Sequence, residues 1–471
     1  MPNIRVLRNY SHPALQALAL AEASVIFASA FLGYATRHAG FPEFFDFLPF
    51  ASTFTLVMVL STFVMGVHEA RLREGEIGVL LRSAVAFFLI GALFMVIIMY
   101  LAPALYETRG VLFYATVEAL ILVTLSRWTF GVWLNDDVLK RRVLVLGASE
   151  RAMKIASRLR RRSDRRTFTL VGFLQHKGTD DLVSAYGVDV YEFESGNLYQ
   201  FCVSHDIDEV VVAMDNRRSN EDGEAVPFDE LMGIKLSGIE VCEVQDFVER
   251  EVGKLDIDLL RQSWLVFSNG FSTTLWRSSS KRFFDIAAAL ILTVLLTPVM
   301  LLTVLLIILS DGPRSSILYR QIRVGLDGNP FQLFKFRTMV KDAEESGAVW
   351  ADHNDPRTTT IGSFLRRSHI DELPQLYNVL IGQMSMVGPR PERPEFVEHL
   401  KDEIPLYAER HRIKPGVTGW AQLCYPYGAS IFDTKEKLQY DLYYLKNNSF
   451  FLDLLILLLT IEKMIVGQGS R

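Results

Sequence analysis

The sequence predicts a membrane α-helical bundle with four spans, a cytoplasmic Rossmann-like α/β domain and a mainly α domain that contains a re-entrant membrane helix hairpin. Three observations support this prediction: four apolar runs early in the chain, then alternating strand and helix patterns, then one further apolar run in a charged region. A chain of 471 residues has room for about three domains. We expect them at 1–135, 136–270 and 271–471, with the re-entrant segment at 281–310.

Four apolar runs predict the bundle, since each has about the length that the hydrocarbon core of a bilayer requires. Basic residues predict its orientation, because cytoplasmic loops carry an excess of lysine and arginine. The loops opposite contain only Arg37 and Arg109, so both ends of the bundle are expected to face the cytoplasm. The runs are 14–36, 47–67, 79–102 and 111–131. The predicted cytoplasmic basic residues are Arg5, Arg8, Arg71, Arg73, Lys140, Arg141 and Arg142.

The middle region alternates between short β-branched runs and helical patterns, which is typical of a parallel α/β sheet. The turn from Gly147 to Ala152 occupies the place of the glycine-rich loop in dinucleotide-binding folds. It lacks the second glycine of GxGxxG, which lets the backbone approach a pyrophosphate. A structural or regulatory role and nucleotide binding therefore both remain open. The predicted strands are 143–148, 168–174 and 209–214, with helices at 150–162 and 195–205.

A further apolar run at 286–309 is long enough to span a membrane, yet two features favour a re-entrant hairpin. Basic residues flank both ends, so the charge asymmetry that drives translocation is missing. Pro298 at the midpoint removes a backbone hydrogen bond, and the Thr297 hydroxyl could satisfy a freed carbonyl. Simple crossing is the alternative. The flanking residues are Lys281, Arg282, Arg314, Arg320 and Arg323.

The last apolar run, 450–466, is somewhat shorter than the roughly 20 residues that a span needs. It also carries Asp453, Glu462 and Lys463. We therefore predict an amphipathic helix that lies in the membrane interface.

Composition argues against several classes of protein. The formal net charge of −5 argues against binding to nucleic acid. Cys202, Cys242 and Cys424 lie far apart and offer neither a disulfide framework nor a zinc site. They are consistent with a reducing, cytoplasmic setting.

The charged stretch from Arg366 to Pro391 contains the best candidates for a functional site. It combines the pair Arg366-Arg367, the acid pair Asp371-Glu372 and the motif Pro389-Arg390-Pro391. Arginine binds phosphate in bidentate geometry, and a carboxylate can attack phosphorus or hold Mg²⁺. The alternative is a solvated lattice of surface salt bridges.

Spacing suggests how these groups divide their roles. Adjacent side chains on a helix diverge by about 100°, so one of Asp371 and Glu372 is expected to be a nucleophile and the other a metal ligand. Arg367 and Asp371 are four residues apart and would share a helix face, which would depress the pKa of the aspartate. Pro374 favours a local turn near the acids.

Two other segments contribute candidate binding residues. Lys335 and Arg337 are two residues apart on a predicted strand, so both would face one phosphate site. The loop from Lys414 to Trp420 is rich in turn residues and contains an aromatic side chain. A structural turn and a part of an acceptor site both remain open for this loop.

Five sequence blocks, in this order, resemble those of the bacterial sugar transferase family, the monotopic polyprenyl-phosphate phosphoglycosyl transferases. The resemblance is strong over about 275–471 and looser over the rest of the chain. It implies a monotopic catalytic domain on the cytoplasmic face of the bacterial inner membrane. The blocks are KRFFD (281–285), YRQIRVG (319–325), FKFRTM (334–339), LRRSHIDELPQL (365–376) and KPGVTGWAQ (414–422).

The resemblance implies transfer of a sugar-1-phosphate from a UDP-sugar to undecaprenyl phosphate, with release of UMP. This reaction would begin the synthesis of an exopolysaccharide, a capsule or an O-antigen. By resemblance, Asp371 corresponds to the nucleophile, which forms an aspartyl-phosphosugar intermediate, and Glu372 to a Mg²⁺ ligand. The expected partners are the UDP-sugar, undecaprenyl phosphate, membrane lipid and a second copy of the chain in a homodimer.

Other motifs take their expected roles from the same resemblance. Pro389-Arg390-Pro391 matches a uridine-binding motif. Lys281, Arg282 and Asp285 match a motif at the start of the re-entrant helix, where bases near the membrane could meet the lipid phosphate. Thr297-Pro298 stands where family members break this helix at a Ser-Pro pair.

Two other functions were weighed against this one. A membrane-anchored nucleotide-sugar dehydratase or epimerase would need an intact glycine fingerprint and a Tyr-x₃-Lys pair. None of the 16 tyrosines has a lysine four residues later. A non-catalytic regulator of polysaccharide export would not need the acid pair and its arginines.

Overall fold

A computed structural model gives the structure of most of the chain, which divides into two compact units, Met1–Val252 and Gly253–Arg471. The predicted three-domain boundaries stay predictions. Several predicted cytoplasmic basic residues, Arg5, Arg8, Arg71 and Arg73, lie outside the described residues. The described residues are 13–65, 76–102, 105, 107–133, 140–148, 150–158, 168–176, 183, 187, 189–193, 196–214, 226–260, 275–312, 316–340, 357–425, 428 and 430–466.

The first unit begins with apolar helices. The prediction of a membrane part is supported, because helices at all four predicted runs are long and apolar enough to cross a bilayer. Their count as actual spans stays a prediction. The helices are α1 (Pro13–His38), α2 (Phe44–Val64), α3 (Glu76–Ala84), a π-helical segment (Val85–Gly91), α4 (Ala92–Leu101) and α5 (Arg109–Trp133).

A buried ion pair explains the acidic residue within the first apolar run. Glu22 on α1 accepts two hydrogen bonds from the Arg127 guanidinium on α5, at 2.6 and 2.9 Å. Arg127 also donates to the Ser83 hydroxyl on α3 at 3.2 Å. Ionisable groups in apolar helices are costly unless they are paired. The pair therefore links three helices of the bundle.

A parallel five-stranded sheet follows in the same unit, in the order β3-β2-β1-β4-β5. This confirms the predicted parallel α/β sheet. Gly147, just after β1, has a φ of +114°, which favours glycine. The elements are β1 (Arg141–Leu146), α6 (Glu150–Arg158), β2 (Phe168–His176), β3 (Val190–Phe193), α7 (Leu198–Ser204), β4 (Glu209–Val212), α8 (Phe228–Leu236), β5 (Glu240–Glu243) and α9 (Val244–Val252).

The second unit is mainly helical, with an antiparallel hairpin β6–β7 and a short parallel pair β8–β9. Its helices are α10 (Leu275–Asp311), α11 (Thr360–Arg367), α12 (Gln375–Ile381), α13 (Pro394–Glu403), α14 (Trp420–Cys424), α15 (Ile431–Asn447) and α16 (Phe450–Val466). The strands are β6 (Leu318–Val324), β7 (Pro330–Phe336), β8 (Ser385–Val387) and β9 (Gly416–Thr418). The 3₁₀ turns are Leu326–Gly328, Ile370–Glu372 and Tyr407–Arg412.

The long helix α10 continues through Pro298 as one helical segment. The Thr297 hydroxyl donates to the carbonyl of Thr293 at 2.6 Å. The carbonyl that loses its partner at Pro298 is that of residue 294, four positions earlier. The expectation that Thr297 satisfies the freed carbonyl is therefore wrong, and the predicted hairpin break at Pro298 stays a prediction.

Both flanks of the apolar part of α10 pack against the same unit. Near its start, the Asp285 carboxylate accepts from the Met386 N–H of β8 at 3.0 Å. Near its end, Ile307 is buried in a cluster with Phe336 of β7 and Leu365 of α11. The unit therefore contacts α10 on both sides of its apolar midpoint.

Candidate functional site

The acid pair lies in a 3₁₀ turn between two helices. Helix α11 ends at Arg367, and His369 then adopts the left-handed conformation, with a φ of 56°. Asp371 and Glu372 follow in the turn Ile370–Glu372, and Pro374 precedes α12. The local turn suggested by Pro374 is thus present.

The expected helix face shared by Arg367 and Asp371 is wrong. His369 breaks the helix between them, so their spacing of four residues does not align their side chains. The Arg367 guanidinium instead donates to the carbonyl of Ser363, at 3.4 Å.

Glu372 is fixed by two cations. Its Oε1 atom accepts from Lys335 Nζ at 2.7 Å and from an Arg390 guanidinium nitrogen at 2.8 Å. Burial alone would raise the pKa of Glu372, but the charges of Arg390 and Lys335 outweigh burial and hold the pKa well below its usual range. Glu372 therefore stays ionised and holds both cations in place.

Asp371, which is adjacent to Glu372, has a different electrostatic environment. Its side chain is buried, with 6% of the residue exposed. No donor in the described part of the chain hydrogen-bonds to its carboxylate, and the nearest cation, Lys335 Nζ, is 4.0 Å from Oδ2. Burial raises the pKa of Asp371, the charge of Lys335 lowers it and that of Glu372 raises it further, so the net shift is upward. The expectation of a depressed pKa is wrong, because burial outweighs the nearby cations.

The β7 strand and the residues after it supply further cations. Lys335 lies on β7 opposite Tyr319 of β6 and contacts the acid pair, while a phosphate site shared with Arg337 stays a prediction. Arg337 lies just beyond the strand, where its N–H donates to the Ile317 carbonyl at 3.0 Å. The Arg366 guanidinium donates to the Thr338 hydroxyl at 3.0 Å. The charge of Arg366 is among those that lower the pKa of Asp371.

The Pro-Arg-Pro loop, residues 389–391, carries Arg390 to the acid pair. Pro389 and Pro391 are buried, whereas Arg390 is exposed. With Ile413 and His411 they line a shallow pocket beside the loop. Contact with Glu372 raises the pKa of Arg390. The guanidinium therefore remains charged beside Glu372.

Sequence reasoning missed Arg410, a buried partner of this loop, and Asp441, the buried counter-ion of Arg410. The Arg410 guanidinium donates to the carbonyl of Arg390 at 3.0 Å and lies 2.8 Å from the Asp441 carboxylate. The sequence around it contains both Arg410 and Arg412, and no pattern indicates which one is buried.

The residues at the start of α10 bind protein groups. Lys281 Nζ lies 2.8 Å from Asp453 of α16 and donates to the Val387 carbonyl. Arg282 donates to the carbonyls of Val379 and Leu380 at 2.6 and 2.7 Å, at the end of α12. Asp285 accepts from the Ser385 hydroxyl at 2.9 Å. These residues fasten α10 to its neighbours, and their contact with a lipid phosphate stays a prediction.

The loop Lys414–Trp420 could be a structural turn or part of an acceptor site, and the structure shows a structural role. Its residues Gly416–Thr418 form β9, which pairs with β8. The Trp420 indole donates to the Gly253 carbonyl at 2.7 Å. The loop therefore supports the strand that leads into the Pro-Arg-Pro motif.

The acid pair can hold Mg²⁺ only together with other ligands. Among the described residues, no group of three or more His, Cys, Asp or Glu side chains could enclose a metal ion. Mg²⁺ commonly binds one or two protein carboxylates and completes its shell with water and substrate phosphates. The second oxygen of Glu372 fits that pattern, since both cations bind Oε1, and its role as a Mg²⁺ ligand stays a prediction.

Taken together, Lys335, Arg366 and Arg390 place positive charge around the buried carboxylate of Asp371. Such a set of residues is typical of an enzyme that transfers a phosphate-linked group.

Comparison with known proteins agrees with this class. The bacterial sugar transferase family model matches residues 276–467. The chain is 42% identical over 195 residues to the sugar transferase EpsL of Bacillus subtilis, covering 41% of this chain and 90% of that protein. The chain therefore belongs to the bacterial sugar transferase family.

Larger relatives match over part of their length. A UDP-N-acetylgalactosamine-undecaprenyl-phosphate N-acetylgalactosaminephosphotransferase of Aeromonas hydrophila is 40% identical over 237 residues, covering 50% of this chain and 55% of that protein. A UDP-glucose:undecaprenyl-phosphate glucose-1-phosphate transferase of Escherichia coli is 40% identical over 195 residues, covering 40% of this chain and 41% of that protein. The matched region thus spans about half of these relatives or less.

Proposed function

We propose that the protein transfers a sugar-1-phosphate from a UDP-sugar to undecaprenyl phosphate and releases UMP. One observation carries this proposal: Asp371 is buried and accepts no hydrogen bond from the described residues, while adjacent Glu372 binds Lys335 and Arg390. A carboxylate without donors keeps its lone pairs available for attack. The names of the Aeromonas and Escherichia relatives support the same donor and acceptor classes.

In the first step, a carboxylate oxygen of Asp371 attacks the phosphorus that carries the sugar. The bond from that phosphorus to the bridging oxygen breaks, and UMP leaves with the electron pair. Arg390 and Lys335 offset the negative charge that builds up on the diphosphate. The product is an aspartyl-phosphosugar on Asp371.

In the second step, a phosphate oxygen of undecaprenyl phosphate attacks the phosphorus of this intermediate. The bond to Asp371 breaks, which regenerates the carboxylate and forms a lipid diphosphate sugar. Bound Mg²⁺ would offset phosphate charge in both steps. Ionised Glu372 would keep Lys335 and Arg390 oriented throughout the cycle.

We propose that this chemistry takes place on the cytoplasmic face of the bacterial inner membrane, with α10 entering and leaving on the same side. The packing of both flanks of α10 on one unit supports this topology. The 22 helical steps from Asp285 to Ile307 would extend about 33 Å as a straight helix, roughly the thickness of the hydrocarbon core. A unit that contacts both points is hard to reconcile with a straight crossing. The homodimer stays a prediction.

The proposal is tested by incubating the purified full-length chain with undecaprenyl phosphate, Mg²⁺ and a panel of UDP-sugars. We expect release of UMP with at least one sugar, and none from Asp371→Asn. Release of UDP in place of UMP would contradict the proposal, because it would mean transfer of the sugar without its phosphate.

A further inference from the structure

We propose that Arg410 and Asp441 are positioning residues that hold Arg390 in place for the donor diphosphate. This inference rests on the proposed function and adds two residues to it. Neither touches the acid pair in the contacts described above. Their effect would pass through the backbone of the Pro-Arg-Pro loop.

The loop is held through its carbonyl groups, because its two prolines have no N–H to donate. The Pro389 carbonyl accepts from the Gly416 N–H at 2.9 Å. The Pro391 carbonyl accepts from the Arg323 guanidinium at 3.1 Å. The Arg390 carbonyl, between them, accepts from Arg410 at 3.0 Å. The position of Arg390 thus depends on a donor supplied by a side chain from another element.

Arg410 can hold the loop because its side chain is buried and contacts several partners. It is 6% exposed and lies on the 3₁₀ turn Tyr407–Arg412. One guanidinium nitrogen donates to the Tyr407 hydroxyl at 2.9 Å. The nitrogen that holds the Arg390 carbonyl also lies 2.8 Å from the Asp441 carboxylate.

Asp441 supplies the counter-charge that a buried guanidinium requires. It is 2% exposed and belongs to α15. The resulting chain of contacts runs from Asp441 through Arg410 to the Arg390 carbonyl. The side chain of Arg390 then contacts Glu372 at 2.8 Å.

The experiment compares Arg410→Lys and Asp441→Asn with a matched control, Arg412→Gln. Arg412 lies on the same 3₁₀ turn, but its side chain is 70% exposed and it pairs with Glu409. Lysine keeps the charge of Arg410 but cannot hold three partners in a planar fork. UMP binding to the full-length protein is measured by titration calorimetry, and KM is measured separately for donor and acceptor.

We expect both variants to bind UMP about tenfold more weakly, because Arg410→Lys loses the guanidinium fork and Asp441→Asn loses the charge that pairs with it. The KM for the UDP-sugar should rise by a similar factor, while the KM for undecaprenyl phosphate and the affinity of Arg412→Gln for UMP stay unchanged. Asp441→Asn preserves side-chain volume, so it provides a folded variant should Arg410→Lys fail to fold.

Wild-type affinity for UMP in a folded variant would overturn the inference. So would an equal rise in both KM values, which would indicate a purely structural role, or a wild-type protein that does not bind UMP. Failure of the proposed function is a separate result. In that case wild-type protein binds UMP, and the variants bind it more weakly, without turnover of any UDP-sugar. That result would support the positioning role and contradict the proposed reaction.

Discussion

At the residue scale, the pKa values of two adjacent carboxylates are shifted in opposite directions. Glu372 binds two cations, which lower its pKa, whereas burial raises the pKa of Asp371. This difference is consistent with an ionised Glu372 that holds two cations beside the proposed nucleophile, Asp371. If Asp371 is the nucleophile, as we propose, activity should depend on pH, because only an ionised carboxylate can attack phosphorus.

Removing Lys335 tests this electrostatic account. Its charge lowers the pKa of Asp371 and so opposes the effect of burial. In Lys335→Gln that pKa should rise further, and activity should fall at a higher pH as the solution is acidified. The pH profile of UMP release measures this shift, with Arg320→Gln on β6 as the control. If activity of Lys335→Gln falls at the same pH as that of the wild type, or at a lower pH, the account is contradicted.

The residue scale also shows where spacing alone misleads. A separation of four residues between Arg367 and Asp371 predicts a shared face only if the helix continues. His369 ends it with a positive φ, a conformation that histidine adopts more often than most residues. Pro374 gave a correct local signal because proline restricts the backbone directly. The burial of Arg410, in contrast to Arg412, depends on distant packing that no local pattern encodes.

At the element scale, long apolar or β-branched segments were predicted well, and short polar ones were not. Helix α16 has the predicted bounds, 450–466, because its composition changes sharply at both ends. Strands β3 and β5 were missed, since VYEF and EVCE each have four residues and no clear alternation. Their pairing in the sheet supplies what their sequences lack.

The topology of α10 can be tested with Pro298→Ala. Alanine restores a backbone donor and is about 3 kcal/mol more favourable than proline within a helix. A straighter apolar helix should shift some molecules to a crossing topology, while the basic residues at both ends limit the shift. Cysteines placed at Ser279 and Ser316, with the three native cysteines replaced, report this by labelling from each side of the membrane.

In the protein without the Pro298 change, both introduced cysteines should react only from the cytoplasmic side. Pro298→Ala should add labelling of residue 316 from the periplasm and lose activity in proportion. Periplasmic labelling of residue 316 without that change would contradict the proposed topology. Full activity and wholly cytoplasmic labelling in Pro298→Ala would show that packing of Ile307, and not the proline, holds the helix.

At the scale of the whole molecule, a short series of contacts connects helix α10 to the candidate site. Asp285 on α10 holds β8, and β8 leads directly into the Pro-Arg-Pro loop. The loop then carries Arg390 to Glu372. If α10 enters the membrane as proposed, these contacts would set the position of the site relative to the membrane.

The central claim, a covalent intermediate on Asp371, is tested most directly with donor alone. Full-length protein is mixed with Mg²⁺ and the UDP-sugar that it turns over, without undecaprenyl phosphate, and then digested for mass spectrometry. We predict a burst of about one UMP per protein and a sugar-phosphate mass on Asp371, with neither in Asp371→Asn. UMP release that requires the acceptor, with no mass gain on Asp371, would contradict the claim.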